Sequence, residues 1–129
     1  MTETTAVKTV VWPTLRYDDA RAAIRFLVGM GFVEDAVHGD GDIVAHAQLR
    51  WPGGGGVMLG SVQREDSAIR DVPAGAGSVY IVVDNPDELH ARAVQLGATI
   101  VRGLTDEDYG SRGFTMRDPE GVHWSFGTY

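Results

Sequence analysis

The order of predicted elements repeats once along the chain, and this duplication limits the fold more than any other sequence feature. The sequence predicts two helices that each start at acidic residues and end at glycine. They span residues 18–31 and 84–97, which are 66 positions apart. Aligned positions are apolar in both copies: Leu15 with Ile81, Tyr17 with Val83, and Met30 with Leu96. The order around each helix is strand–helix–strand–strand–strand, so the sequence predicts a tandem duplication of a βαβββ unit.

The first module is predicted to span residues 1–62, and residues 63–77 are predicted to form a polar linker. The apolar spacing predicts a helix over 20–30 and strands over 8–17, 32–37, 43–51 and 57–59. Pro13 interrupts the first strand, because proline cannot donate to a β-ladder. Residues 38–42 are predicted to be a turn, and the linker is expected to hold a helical turn around 65–69.

The second module is predicted to span residues 78–129. Its predicted elements are a strand over 78–83, a helix opening at 84–87, a strand over 99–102, a loop over 103–110 and a β-hairpin over 113–126. Asp84 is the predicted N-cap of the helix, followed by proline and acidic residues in the first turn. Residues 118–121 supply the hairpin turn, because Asp, Pro and Gly each favour turn conformations.

The composition excludes several kinds of partner and site. The lack of cysteine excludes disulfides, thiolate metal sites and a cysteine nucleophile, and it suits a cytoplasmic protein. A net charge of −7 argues against nucleic acid or an anionic membrane as partner. No apolar run reaches the roughly 20 residues of a membrane span. The N-terminus lacks the basic and apolar regions of a signal peptide, and residues 1–6 are expected to be a frayed tail.

Three segments carry a resemblance to a known family: residues 79–89 (VYIVVDNPDEL), 95–98 (QLGA) and 118–124 (DPEGVHW). Together with the tandem βαβββ order, they resemble the vicinal oxygen chelate superfamily, which includes glyoxalase I, extradiol dioxygenases and bleomycin-binding proteins. The resemblance implies an α+β fold in which each module curls a mixed sheet into half of a cup around a cavity. Many members form dimers whose cavities are built from modules of two chains, so a homodimer is expected.

The resemblance also implies which sheet face each residue occupies, since side chains alternate along a strand. The convex face, under the helices, is expected to hold Val79, Ile81, Val83, Trp124, Phe126, Ala47 and Leu49. The concave face is expected to hold Ser78, Tyr80, Val82, His123, Ser125, His46, Gln48 and Arg50.

The family's four metal-ligand positions map to Trp12, Gly60, Ser78 and Ser125. Tryptophan and glycine offer no side-chain ligand, and serine is a poor ligand for an ordinary divalent metal. No cofactor is therefore predicted. A divalent metal at a displaced site, held by His46, Gln48 and His123, is the alternative.

The candidate ligand-binding residues are those expected in the cup or at its mouth: Trp12, Thr14, His46, Gln48, Arg50, Tyr80, Tyr109, Arg112, His123 and Ser125. Aromatic walls with a few convergent polar groups are typical of small-molecule sites. Trp12 could instead be a core or interface residue. Arg50 could instead form an ion pair with an acidic side chain.

These residues favour a metal-free protein that binds a small organic molecule, with antibiotics among the candidate ligands. The alternative is an enzyme: a glyoxalase-like lyase or isomerase, or a dioxygenase-type enzyme, with a displaced metal site. A metal-free acid–base catalyst that uses His46 or His123 is also an alternative, because histidine titrates near neutral pH.

Overall fold

The computed structural model describes residues 8–64 and 66–129. The elements of the first module are β1 (Thr14–Tyr17), α1 (Ala20–Met30), β2 (Val33–Asp40), β3 (Ile43–Arg50) and β4 (Gly56–Ser61). Those of the second module are β5 (Ser78–Val82), α2 (Pro86–Gln95), β6 (Thr99–Asp106), β7 (Arg112–Arg117) and β8 (His123–Gly127). The two modules have the same order of elements.

Each module forms its own four-stranded mixed sheet. The strand orders are β1-β4-β3-β2 and β5-β8-β7-β6. In both sheets the first strand of the module pairs in parallel with its last strand, and the other neighbours are antiparallel. The predicted tandem βαβββ architecture with mixed sheets is confirmed.

The core lies on the face of each sheet that the helix covers. Helix α1 packs on all four strands of the first sheet, and α2 packs on β6, β7 and β8. The alternating residues predicted for this face are buried there: Ala47, Leu49, Trp124 and Phe126 are at most 1% exposed. The ring of Phe32 contacts both Trp51 and Trp124, with centroids 5.0 and 5.6 Å away, so aromatic packing joins the modules.

A buried carboxylate also joins the modules. Asp118, 5% exposed, opens the turn between β7 and β8. Its Oδ1 accepts the backbone N–H groups of the next turn residues, 120 to 122, at 3.0–3.1 Å. Its Oδ2 accepts the hydroxyl of Tyr17 at 2.6 Å and the indole N–H of Trp124 at 3.0 Å. Because Tyr17 ends β1, this single side chain fixes the hairpin turn of one module against the first strand of the other.

Burial and the neighbouring charge of Asp118 both act on the Tyr17 hydroxyl. Burial raises the pKa of Tyr17 far above its ordinary value, and the Asp118 carboxylate beside it adds to that rise. Tyr17 is therefore protonated at neutral pH and donates to Asp118.

The same turn caps α1 of the first module. The Glu120 carboxylate accepts the backbone N–H groups of Asp18 and Asp19 at 2.6 and 2.8 Å. The Asp19 side chain accepts the N–H of Ala22 at 3.0 Å, as expected for an N-cap. Free N–H groups at a helix start carry partial positive charge, so both carboxylates stabilise α1.

The segment after β4 lies over one end of the first sheet. Arg16, only 4% exposed, donates from Nη1 to the carbonyls of residues 69, 70 and 72 at 2.7–3.2 Å. Its Nη2 donates to the carbonyl of Val62 at 3.0 Å. The chain that follows β4 is thus tied to the concave face of the first module.

Several predicted boundaries differ from the structure. The strand predicted over 8–17 is β only from Thr14, because Pro13 precedes it. The turn predicted over 38–42 is shorter in the structure: β2 continues to Asp40 with a bulge after His38, and only Gly41 and Asp42 form the turn to β3. The N-cap of α2 is Asn85 rather than Asp84. Strand β6 runs to Asp106, through part of the predicted loop.

Parts of two predictions lie outside the described residues: the frayed tail over 1–6 and the start of the helical turn around 65–69. The described residues 66–69 form turns. Within the ranges 8–64 and 66–129, neither helix is long and apolar enough to cross a lipid bilayer.

We expect Asp118→Asn to lower the free energy of unfolding by about 3 kcal/mol. The amide loses the charge and one acceptor oxygen, while the buried donors of Tyr17, Trp124 and the turn remain. Urea denaturation followed by circular dichroism measures the change. Asp108→Asn, an exposed acid in the loop after β6, is the matched control and should leave stability unchanged. Equal stabilities of the two variants would contradict the assigned role of Asp118.

Candidate functional site

The concave face of the second module is open. Along β5, Ser78, Tyr80 and Val82 are exposed while Val79 and Ile81 between them are partly covered, which is the alternation of a strand with one buried face. Tyr80 is 52% exposed and Val82 is 62% exposed, unusually high values for large apolar side chains in a sheet. This face therefore presents aromatic and aliphatic surface that the chain itself leaves uncovered.

A cavity of about 230 Å³ lies on this concave face. Its polar and aromatic lining residues are Tyr80, Arg102, Glu107, Tyr109, Ser111, Phe114, Thr115, Ser125 and Phe126. Hydroxyl groups form its floor: Thr115 and Ser125 face each other in register on β7 and β8, and their oxygens are 2.8 Å apart. A hydroxyl can donate as well as accept, so this floor suits a neutral polar group of a guest molecule.

Charged and aromatic side chains form the rim of the cavity. Nη1 of Arg102 lies 2.8 Å from Oε1 of Glu107, an ion pair in which the carboxylate side chain is the less exposed partner at 26% against 59%. Tyr109 packs edge-to-face on Tyr129 with ring centroids 5.8 Å apart, and both rings are more than 70% exposed. The rim thus offers flat apolar surface beside one charged pair.

Gly127 leaves room for the side chain of Tyr80. A β-carbon at Gly127 would overlap the Tyr80 hydroxyl and lie 3.0 Å from its ring carbon Cζ. Tyr80 pairs in register with Ser125 on the adjacent strand β8. The phenol ring therefore crosses the end of β8 over the bare backbone of Gly127, which holds it at the edge of the cavity.

The concave face of the first module is more closed. Its cavity, about 60 Å³, is lined by β1, β3 and β4 together with residues 64, 67 and 69 of the covering segment. Trp12 packs over Gly56, where a β-carbon would meet the indole ring, and its Nε1 donates to the carbonyl of Thr9 at 3.2 Å. Arg50 binds Asp35 with Nε 3.2 Å from Oδ1. The small volume leaves little space for a guest in a single chain.

The structure divides the predicted ligand-binding residues among three places. Tyr80, Tyr109 and Ser125 line the second-module cavity. Trp12, Thr14, His46, Gln48 and Arg50 belong to the first module, on strands β1 and β3 or just before them. Arg112 and His123 lie outside both cavities.

Arg112 is engaged on the helix side of the second sheet. Its guanidinium donates to both carboxylate oxygens of Asp87 in α2, at 2.8 and 3.2 Å, and to Asp106 at 3.1 Å. The hydrogen bonds from Arg112 lower the pKa of Asp87. Arg112 therefore ties β7 to α2.

Four polar residues of the cavity were not among the predicted site residues: Arg102, Glu107, Ser111 and Thr115. The alternation of the predicted hairpin carried a signal for Thr115, since pairing the two strands places it opposite Ser125. Arg102 and Ser111 flank the predicted loop over 103–110 and Glu107 lies within it, so only the folded path of β6 and β7 brings the three together.

The residues at the family's metal positions do not fit a divalent metal. The Ser125 hydroxyl bonds that of Thr115, Ser78 is exposed, and Gly60 has no side chain. The alternative metal site of His46, Gln48 and His123 is not assembled either, because His46 belongs to the first sheet and His123 to the second. Among residues 8–64 and 66–129, no three histidine or acidic side chains converge into a metal-binding group.

Two βαβββ modules, each with a curved mixed sheet and its own concave face, define the class of this protein as a tandem βαβββ fold. Sequence comparison identifies the family within this class. The sequence profile of the Glyoxalase/Bleomycin resistance protein/Dioxygenase superfamily matches residues 9–126. The chain belongs to this superfamily.

Relatives and solved structures support the assignment. The chain is 32% identical to the uncharacterised proteins Mb0911c of Mycobacterium bovis and Rv0887c of Mycobacterium tuberculosis, over 94% of this chain and 84% and 75% of theirs. TioX from Micromonospora sp. ML1 superposes with a TM-score of 0.76 at 30% identity, covering 95% of this chain and 98% of TioX. A superfamily member from Sphaerobacter thermophilus, 19% identical with a TM-score of 0.69, covers 94% and 97% and shares the fold.

Replacing Gly127 by alanine tests the position assigned to Tyr80. We expect Gly127→Ala to cost about 1 kcal/mol of stability, since the new methyl group displaces the phenol. In a Tyr80→Ala background the same change should stabilise by about 0.5 kcal/mol, because only the loss of backbone freedom in the unfolded chain remains. Denaturant unfolding of the four proteins gives both values. The same sign in both backgrounds would refute the contact.

Proposed function

We propose that this protein binds a small organic molecule, without a metal, in the concave cavity of its second module. The observation that carries the proposal is the pairing of an aromatic wall, Tyr80 and Tyr109, with a hydroxyl floor, Thr115 and Ser125. Ligand sites combine apolar surface with a few placed polar groups in this way. The groups at the family's metal positions are poor ligands, which supports binding rather than metal-dependent chemistry.

The size of the cavity limits what one chain can bind. Small-molecule sites usually measure about 300–1,000 Å³, so a cavity of about 230 Å³ holds one ring system rather than a whole drug-sized guest. Burying one ring with a few hydrogen bonds is consistent with micromolar affinity, roughly −8 kcal/mol. Antibiotics are one ligand class that this proposal includes.

The rest of the site would come from a second copy of the chain. The cavity of the second module is lined only by residues 80–126, and that of the first only by residues 14–69. These two cavities share no lining residue, so neither of them joins the concave faces of the two modules. A homodimer in which the second module of one chain faces the first module of its partner would cover Tyr80 and Val82 and enlarge the cavity.

Removal of the Tyr80 ring should weaken ligand binding at least tenfold, because the flat wall of the cavity is lost. The measurement is calorimetric titration of the tightest binder found by thermal-shift screening of aromatic compounds, antibiotics included. Val94→Ala, at an exposed position on α2, is the matched control and should bind normally. Treatment with EDTA should leave the affinity of the wild type unchanged. No binder in the screen, or equal affinities of Tyr80→Ala and the wild type, would contradict the proposed site.

If the protein is a homodimer, size-exclusion chromatography with light scattering should measure a mass of twice 13.9 kDa. We expect Val82→Glu to produce monomers, since a charge on β5 would be buried against the partner. Val94→Glu places the same charge on the outer side of α2, at 55% exposure, and should remain a dimer. A monomeric wild type, or a dimeric Val82→Glu, would refute this arrangement.

A further inference from the structure

Two histidines lie opposite each other on the neighbouring strands β2 and β3, at one edge of the first sheet. His38 on β2 pairs in register with His46 on β3, so both side chains lie on the same face. Their ring centroids are 6.2 Å apart, and their planes differ by 17°. His38 is exposed and His46 is half-buried, and β2 is an edge strand. The pair is therefore open to solvent and positioned by the β-ladder.

The separation of the rings fits two imidazoles that share one ion. With metal–nitrogen bonds of about 2.0–2.1 Å, two imidazoles on one metal have ring centroids about 5–6.5 Å apart, depending on the bond angle. The observed 6.2 Å lies inside this range. Because 6.2 Å lies near the upper end of the range, a shared ion requires the side-chain torsions to turn one nitrogen of each ring towards the other ring.

The surroundings leave room for the other ligands of an ion. His46 lines the cavity of about 60 Å³ together with Met58 and Gly60, and Gly60 contributes no side chain to fill it. A volume of this size admits one or two water molecules. Gln48 lies two residues beyond His46 on the same face of β3.

We propose that His38 and His46 form a binding site for one late first-row divalent cation, with water completing the coordination. Affinity for nitrogen ligands rises along this row to Cu²⁺ and falls again at Zn²⁺, so Cu²⁺ binds most tightly. The site takes no ligand from the four metal positions of the family, although Gly60, one of these positions, lines the same cavity as His46. It does not depend on a guest in the second-module cavity.

Calorimetric titration of the full chain with CuCl₂ and, separately, with ZnCl₂ tests this site. The wild type should bind one Cu²⁺ more tightly than Zn²⁺, and electron paramagnetic resonance should show coupling to imidazole nitrogens. His38→Ala and His46→Ala should each weaken Cu²⁺ binding at least tenfold. His90→Ala and His123→Ala, which alter the two remaining histidines, are the matched controls and should bind as the wild type does.

Circular dichroism of each variant separates loss of the site from loss of folding, and the exposed position of His38 makes His38→Ala the decisive variant. Unchanged Cu²⁺ affinity in His38→Ala would overturn the proposal. So would an equal loss in His123→Ala, because the imidazoles would then bind independently of the strand pairing. Zn²⁺ binding tighter than Cu²⁺ would overturn the assigned preference.

Discussion

The hydrogen bonds of Asp118 hold the two modules in their relative positions. A carboxylate removed from water is tolerated only when its oxygens are satisfied, and Asp118 meets this condition with three backbone donors, a phenol and an indole. The backbone donors set the turn that starts β8, and Tyr17 fixes that turn to β1. The positions of Ser125 and Gly127 follow, since both lie on β8 beyond the turn.

The alternation of side chains explains why one chain is stable and still has open binding surface. Each strand gives one set of side chains to a shared core under the helices, where Trp124 and Met116 are fully buried. The opposite set cannot be buried by the same helices, because they cover only one face. Tyr80 and Val82 therefore remain exposed unless another molecule covers them, and that exposure is the physical basis for both the guest and the partner proposed above.

The helices and turns could be predicted because their signals are local, and the repeat of these elements then predicted the fold. Helix periodicity located α1 at its observed residues, and turn chemistry located the 118–121 turn. Two features of the structure were not local. Strand β2 extends over His38 because β3 pairs with it there, although glycine and aspartate favour a turn. The ion pair of Arg102 and Glu107 forms only after β6 and β7 have met, so no sequence spacing identifies it.

The alignment of the two modules also explains why the cavity on the second concave face is larger than the cavity on the first. Arg16 of the first module aligns with Val82 of the second, 66 positions later. The arginine is buried by four carbonyls of the segment after β4, which lies over its half-cup, whereas the valine is 62% exposed. A buried guanidinium must have its donors satisfied, so Arg16 holds the covering segment in place. Valine has no such requirement, and the second half-cup stays open.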